Sequence, residues 1–351
     1  AATDVGRGDH ARRPLTEPEL DILFPLIRAR LGASVTVSAS RRQGSSELDE
    51  YLLISEAPAW RALASMGEIH PRLARGFFRD ACGLPACPRR APLVDWIRAQ
   101  TPAPVMDIPV GPETVVLDHS VGSPDLTGRD TDDTPDFARR VFARMEQEGA
   151  RVGLGRYLEP RGFYLTDAFA GRPSEPPERR TIHLGIDVYD RAGAPVHAPL
   201  EATVRRVRDN AGRLDYGPTV TLEHDTPHGP FWTLYGHLER ASVADLEEGD
   251  RIAAGTAFAR VGPYPENGDW PPHLHLQVMT DLLGYDGDVP GVAAPREAEV
   301  WASFCPDPDE VLRLSVPTTY RPAEGLAARR VRVLGPSLSL SYPEAIHVVR
   351  G

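Results

Sequence analysis

The stretch Thr181-Ile-His-Leu-Gly-Ile-Asp187 decides how this chain is interpreted, together with a second run, His273-Leu-His275. In an extended strand, side chains two or four positions apart lie on the same face. His183 and Asp187 then share one face of the first strand, and the two histidines of the second run share one face of the other. Two such strands side by side bring three imidazoles and a carboxylate together, which is a ligand set of zinc with one position left for water.

The spacing of His183 and Asp187 alone does not choose between a strand and a helix, since residues four apart also share a helix face. A central glycine and β-branched neighbours favour the strand: Ile182, Gly185, Ile186 and Val188. The intervening apolar side chains then point the other way, into a core: Leu184, Ile186, Leu274 and Leu276. The ordinary interpretation of a single such histidine is a hydrogen-bonded core residue, but two paired motifs in one segment weigh against it.

Length and charge limit the class of protein. A chain of 351 residues is expected to hold about two domains. Its 41% hydrophobic and 25% charged residues are ordinary for a globular protein, and a net charge of −11 argues against binding to nucleic acid or anionic membranes. We expect no membrane-spanning run. Ala1–Pro14 shows no apolar signal core, so we expect a cytoplasmic protein, with a lost N-terminal signal as the alternative.

The three cysteines are Cys82, Cys87 and Cys305. So small and odd a number argues against a disulfide framework and suits a reducing compartment. Cys82 and Cys87 are close enough in sequence for a local disulfide or half of a metal site. Because no second pair with suitable spacing accompanies them, buried free thiols are the favoured interpretation.

Residues 15–100 show helical spacing, with a first helix that begins at Thr16 and ends at Gly32. The pattern continues over Asp49–Ile54, Pro58–Met66, Pro71–Phe78 and Pro92–Ala99. Four prolines mark Thr101–Pro112 as an exposed linker. Asp136–Gly149 is an amphipathic helix, and Gly171–Arg180 is an exposed loop.

From residue 181 to about 283 the pattern changes to short strands and turns. Strands are predicted over Val196–Pro199, Ala202–Val207, Thr219–Glu223, Phe231–Leu238 and Ala257–Val261. Tyr235 and His237 fall on one strand face, from which His237 could reach the metal-binding residues. We expect His224 and His228 to face solvent, His197 to be structural, and the loop before His273 to line a substrate.

In order, His183-Leu-Gly-Ile-Asp187, Tyr235-Gly-His237-Leu and His273-Leu-His275 match the signature of the lysostaphin-type zinc metallopeptidases, and the resemblance covers about residues 180–285. It implies a small antiparallel β fold with zinc in a groove. It also implies that His183, Asp187 and His275 bind Zn²⁺, while His237 and His273 assist catalysis.

Two features depart from that family. The loop before His273 is more acidic and bulkier than the usual one, so substrate preference could differ. The family's tyrosine upstream of the first histidine is not obvious, and Tyr164 is only a distant candidate. The chain also lacks a His-Glu-x-x-His helix, so the two non-ligand histidines are the natural groups to handle protons.

The flanks resemble other proteins. Residues 16–100 are similar to the C-terminal end of an aminoglycoside-phosphotransferase-like kinase, and residues 338–351 to the start of a class III aminotransferase. These resemblances imply four regions: a kinase-like helical segment at 1–100, a linker and extension at 101–179, the zinc domain at 180–315, and an aminotransferase-like start at 316–351. They imply a piece of a longer polypeptide whose flanking domains are its partners.

The fold class predicted is α+β, a helical segment followed by a mainly antiparallel β domain. The favoured function is zinc-dependent hydrolysis of a peptide or amide bond, with cell-wall peptide among the candidate substrates. A zinc-bound module that positions the flanking enzymes without hydrolysis is the alternative. A metal-free structural linker is the third reading, against which the intact ligand set argues.

Overall fold

The computed structural model describes residues 2–44, 50–123, 126, 129–171 and 178–321. Its helices are α1 (Ala2–Arg12), α2 (Glu17–Gly44), α3 (Glu50–Gly67), α4 (Pro71–Ala81), α5 (Arg90–Arg98), α6 (Thr134–Gln147), α7 (Ala298–Phe304) and α8 (Asp309–Leu312). Its strands are β1 (Thr114–Val116), β2 (Val152–Gly155), β3 (Ile182–His183), β4 (Ile186–Tyr189), β5 (Pro195–His197), β6 (Ala202–Asn210), β7 (Gly217–His224), β8 (Phe231–Gly236), β9 (Arg251–Ile252), β10 (Ala257–Arg260), β11 (His273–Met279) and β12 (Val292–Ala293).

The predicted α+β class is confirmed. An eight-stranded sheet has the order β1-β2-β4-β11-β8-β7-β6-β9. All of its pairs are antiparallel except β1 with β2. Two small antiparallel pairs, β10 with β5 and β12 with β3, lie beside it. Helices precede this sheet in the chain, as the sequence pattern predicts.

The helical part follows its caps and apolar spacing. The ring of His70 accepts a hydrogen bond from the Arg72 backbone N–H at the start of α4, and Asp133 caps α6 in the same way. The predicted end of the first helix at Gly32 is wrong, because α2 continues to Gly44. A glycine inside a helix costs only about 1 kcal/mol relative to alanine, so it destabilises a helix without having to end it.

The predicted single strand over residues 181–187 is also wrong. His183 ends β3, which pairs with β12, whereas Asp187 lies in β4 of the main sheet. The break falls at Gly185, where an added Cβ would lie 2.4 Å from Cε1 of His275. The chain therefore passes so close to the His275 ring that only glycine fits.

The core is where the alternation of apolar residues predicts it. Four side chains from the two metal-motif runs are fully buried: Leu184, Ile186, Leu274 and Leu276. Residues 101–112 contain no helix or strand among the described elements, as expected of a linker, but Val105 and Met106 are buried in the core of the sheet. The predicted exposure therefore holds for only part of this segment: Val110 is 83% exposed, whereas Val105 and Met106 pack with α5 against the strands.

One helix among the described residues is long and apolar enough, by length and composition, to cross a membrane. It is the Glu17–Ser40 part of α2, of which 17% is buried. The expectation that the chain has no such run was therefore wrong. Apolar side chains such as Ile22 and Leu26 are about half exposed on this helix.

Some sequence predictions lie outside the described residues. The Gly171–Arg180 loop is described only at its two ends, and the aminotransferase-like stretch at 338–351 is not described. The four proposed domain boundaries stay a prediction.

Candidate metal centre

Three side chains meet where β3, β4 and β11 come together. In the sheet register, His275 on β11 lies directly opposite Asp187 on β4, and His183 ends the adjoining β3. The His183 Nε2 atom lies 3.1 Å from Asp187 Oδ1 and 3.0 Å from His275 Nδ1. The His275 Nδ1 atom is 3.1 Å from the same carboxylate oxygen. These three atoms form a nearly equilateral triangle, and each residue is at most 3% exposed.

A hydrogen bond on the far side of the His183 ring fixes its proton. The Nδ1 atom lies 2.9 Å from the carbonyl oxygen of Arg156, and a carbonyl can only accept, so Nδ1–H donates. Burial lowers the pKa of His183 to about 4, so the ring is neutral at pH 7. Its Nε2 atom therefore presents a lone pair to Asp187.

The His275 ring is fixed from its other nitrogen. The amide nitrogen of Gln277 donates to the Pro290 carbonyl at 3.2 Å, which leaves the Gln277 Oε1 atom to accept. His275 Nε2 lies 3.2 Å from that oxygen and donates its proton there. The Nδ1 atom of His275 is then the unprotonated one, and it faces the triangle.

With these tautomers three acceptor atoms face one another, and no hydrogen joins them. A cation is the group that turns this repulsion into attraction. Zinc bonds to nitrogen and oxygen of about 2.0–2.2 Å place tetrahedral ligand atoms roughly 3.3–3.6 Å apart. The observed separations of 3.0–3.1 Å are close to that range. The donor set and its size thus fit a zinc ion with an open fourth position.

A buried arginine occupies the other oxygen of Asp187. Arg161 Nη1 donates to Asp187 Oδ2 at 2.7 Å and to the Tyr164 hydroxyl at 2.9 Å. Burial alone would raise the pKa of Asp187, but His183 and Arg161 outweigh it and hold that pKa well below its usual value. The carboxylate therefore stays ionised, with Oδ2 taken by the guanidinium and Oδ1 left toward the histidines.

Arg161 is in turn held by a second buried carboxylate. Its Nε donates to Glu159 Oε2 at 3.1 Å, and Arg156 donates to the other oxygen of Glu159 at 2.6 Å. A side chain on Gly155 is excluded, because its Cβ would lie 2.7 Å from Arg161 Nη2. Strand β2 thus leaves room for the guanidinium behind Asp187.

His237 approaches from the end of β8. Its φ of +63° lies in the left-handed region, which non-glycine residues seldom adopt and which is frequent at functional sites. The Nδ1 atom is 2.8 Å from the carbonyl oxygen of Asn267 and donates to it. Burial holds the pKa of His237 well below its usual value, so Nε2 is a neutral base.

His273 has the same kind of environment. Its Nδ1 atom donates to the carbonyl oxygen of Pro271 at 2.6 Å, and its Nε2 lies 3.7 Å from Asp187 Oδ1. Burial lowers the pKa of His273 too. The rings of His237 and His273 are 4.3 Å apart between centroids. Two neutral imidazoles therefore stand beside the triangle with their Nε2 atoms free to accept a proton.

All five residues line one cavity of about 280 Å³. Its walls are rich in aromatic side chains: Phe163, Tyr164, Phe169, Tyr189, Tyr216 and Trp270. Trp270 comes from the loop before β11, and the role of this loop in lining a substrate stays a prediction. Tyr164 also lies here, although it is far from His183 in sequence.

Two other predictions about this region are wrong. Tyr235 does not share the cavity with His237 but is fully buried in the sheet core, because the left-handed turn at His237 breaks the strand alternation. His224 is 1% exposed instead of facing solvent, whereas His228 is exposed as expected. Its ring contacts the Glu201 carbonyl and the Thr233 hydroxyl.

The remaining predicted roles can be located briefly. His197 has a structural contact, since its Nδ1 lies 3.3 Å from the Val105 carbonyl. Cys82, Cys87 and Cys305 are free thiols, of which Cys82 is only partly buried.

Comparison with known proteins shows what this part of the chain is similar to. Residues 181–286 match the sequence model of Peptidase family M23. An M23 domain of the lysostaphin type is thereby supported in this part of the chain. The match contains all five histidine and aspartate positions described above.

A curated relative, an uncharacterized metalloprotease of Haemophilus influenzae, is 29% identical over 143 residues, or 35% of this chain. The chain spans only 27% of that relative's length. Among solved structures, the lysostaphin catalytic domain of Staphylococcus simulans is 20% identical and matches 34% of this chain and 80% of its own, with a TM-score of 0.24. A zinc containing peptidase from Vibrio cholerae is 23% identical and matches 35% of this chain and 36% of its own, with a TM-score of 0.23.

The sequence reading missed the charged support behind Asp187. Arg156, Glu159 and Arg161 precede the matched region, and no motif marks them. The available signal was their spacing, three charged residues within six positions. Such a run is usually a solvated surface, so only the fold shows that Glu159 and Arg161 are buried.

Proposed function

We propose that this chain is a zinc-dependent hydrolase that cleaves a peptide or amide bond. One observation carries the proposal: unprotonated atoms of His183, Asp187 and His275 converge within about 3 Å of one another inside a cavity. The match of residues 181–286 to Peptidase family M23 supports the reaction class. The two neutral histidines beside the triangle supply the acid–base groups that hydrolysis requires.

In this proposal His183, Asp187 and His275 hold the zinc. When bound, zinc polarises a carbonyl group and lowers the pKa of water to about 7. Either His237 or His273 accepts the proton of the attacking water at Nε2 and returns it to the leaving nitrogen. Their Nδ1–H bonds to the carbonyls of Asn267 and Pro271 keep both rings in the tautomer that this step needs.

The substrate proposed is a peptide or another amide, with cell-wall peptide among the candidates. Lysostaphin is described as an antimicrobial peptidase, and the Haemophilus relative as a metalloprotease. We also propose that the chain belongs to a longer cytoplasmic polypeptide with kinase-like and aminotransferase-like neighbours. The sequence resemblance of residues 16–100 and 338–351 supports that organisation.

The test is a cleavage screen with the zinc-loaded chain over peptides and amino-acid amides, followed by mass spectrometry of the products. His237→Ala is the matched test variant, since it removes a proposed base and leaves the three proposed zinc ligands in place. We expect cleavage by the wild type that is lost in this variant. Bound zinc without any cleavage would favour the alternative, a non-hydrolytic module that positions neighbouring domains.

A further inference from the structure

The metal centre lies deep in its cavity. His183, Asp187, His237, His273 and His275 are each 5% exposed or less. An internal bond of a long polymer must lie across an open groove, with chain leaving on both sides. The proposed ligand atoms line the cavity, so the shape of its walls decides which substrates fit.

The wall that covers the centre comes from outside the matched peptidase region. Phe163, Tyr164 and Phe169 line the cavity, and all three precede residue 181. The Tyr164 ring packs against Phe169 in a tilted arrangement, with 4.5 Å between centroids, and meets the Trp270 ring edge-to-face at 6.1 Å. An aromatic segment thus joins the loop before β11 and narrows the cavity.

The cavity is small and its more exposed rim is charged. Its volume of about 280 Å³ lies just below the usual range for small-molecule sites, about 300–1,000 Å³. Arg180, Asp215 and Asp288 line it and are partly or fully exposed. Asp288 forms an ion pair with Arg208 at 3.0 Å. Asp215 has no such partner within the described part of the chain, so one carboxylate and the Arg180 cation face an entering molecule.

Resting on the proposed hydrolytic function, we propose that the substrate is a short peptide or amino-acid amide with a charged free end, not an internal bond of a polymer. The aromatic wall formed by Phe163, Tyr164 and Phe169 limits the length that fits. Asp215 contacts a free ammonium end or Arg180 a free carboxylate end, and the rest of the substrate occupies the aromatic interior.

The test compares one scissile bond in substrates of different length with the zinc-loaded wild-type chain. The set holds a free dipeptide, its N-acetylated form, its C-terminal amide, and a capped octapeptide with the same central bond. We expect kcat/KM for the free dipeptide to exceed that for the octapeptide by more than about tenfold. Equal or faster cleavage of the octapeptide, or of intact peptidoglycan, would overturn the proposal and leave the hydrolytic function standing.

The capped substrates identify the recognised end. If acetylation abolishes the preference and Asp215→Asn raises KM only for free-amino substrates, the ammonium end is bound. If amidation abolishes it and Arg180→Gln raises KM only for free carboxylates, the other end is bound. If neither cap changes kcat/KM, the charged-end part of the proposal is wrong.

Phe169→Ala tests the wall directly. Removing this ring should raise the relative rate on the octapeptide toward that on the dipeptide, because the cavity opens on one side. Leu165→Ala is the matched control, since Leu165 lies in the same segment, is 48% exposed and does not line the cavity. An unchanged length preference in a folded Phe169→Ala protein would contradict the assigned role of the wall. If no substrate in the set is cleaved, the proposed function itself has failed.

Discussion

His275 and His224 are two buried histidines of the same sheet, and they differ in what their nitrogens face. His275 lies on β11 and His224 on β7, at 3% and 1% exposure. His224 contacts a carbonyl at Nδ1 and the Thr233 hydroxyl at Nε2, so both nitrogens have a suitable partner. The Nδ1 of His275 instead faces a carboxylate oxygen and a second unprotonated nitrogen. The chemistry of the partner atoms, more than burial, therefore distinguishes the proposed metal ligand from a core histidine.

Substituting each of the two histidines is the strongest test of this comparison. His275→Ala should abolish zinc binding, because two remaining ligands cannot hold the ion. His224→Ala should keep about one zinc per chain while lowering stability. Metal bound at about a hundred times its Kd stabilises the native state by roughly 3 kcal/mol, so only the first variant should lose the zinc-dependent rise in Tm. Zinc titration followed by differential scanning calorimetry measures both effects.

The two non-ligand histidines come next in effect. His237→Ala and His273→Ala should keep zinc and lose about a hundred- to ten-thousand-fold in kcat, the usual contribution of acid–base assistance. Elemental analysis and steady-state kinetics on a substrate that the wild type cleaves separate the two properties. A variant that releases zinc as readily as His275→Ala would identify that residue as a ligand.

The pH dependence of the free energy of unfolding tests the other half of the comparison, the buried neutral ring of His224. Burial lowers the pKa of His224 to about 4, so the folded state favours its neutral form. Above the unfolded-state pKa of about 6.5, the neutral ring contributes roughly 3 kcal/mol to the free energy of unfolding. This contribution is lost as the pH falls toward about 4. Urea unfolding of the chelator-treated chain between pH 7.5 and 4.5 should show the loss, and His224→Gln should flatten it. If the free energy of unfolding depended on pH equally in both proteins, the assigned pKa would be contradicted.

A smaller effect is expected from the support of Asp187. Arg161→Met should weaken zinc binding by about ten- to a hundred-fold, because such outer contacts orient the ligand and fix its charge. Arg161→Lys keeps the charge but loses the guanidinium group that contacts Asp187 and Glu159 together. It should therefore recover part of the zinc affinity. Competition with a calibrated chelator measures the affinity without relying on turnover. Unchanged affinity in both variants would make the Arg161 contact purely structural.

The sequence predicts the sheet and the converging residues because both depend on local periodicity. Alternation placed Leu184 and Leu276 in the core, and the parity of His273 and His275 put both on one face. The helix end at Gly32 could not be predicted, since a glycine inside a helix and one after it differ in tertiary context alone. The burial of His224 was missed for the same reason, because its partners come from other strands.

The surroundings of the site were the least predictable part. Arg161 contacts Asp187 across 26 positions of sequence, and Phe169 reaches the cavity from a segment without any motif. Such contacts depend on the path of the whole chain between β2 and β3. A charged or aromatic residue in that stretch has no local periodicity that distinguishes a cavity wall from an exposed loop.

The central claim is that three acceptor atoms converge because they bind a cation. Elemental analysis of the wild-type chain, purified without chelator and again after incubation with equimolar zinc and gel filtration, tests it most directly. We predict about one zinc per chain, held by His183, Asp187 and His275, and released by a strong chelator. A chain that retains no transition metal under either condition would contradict the account.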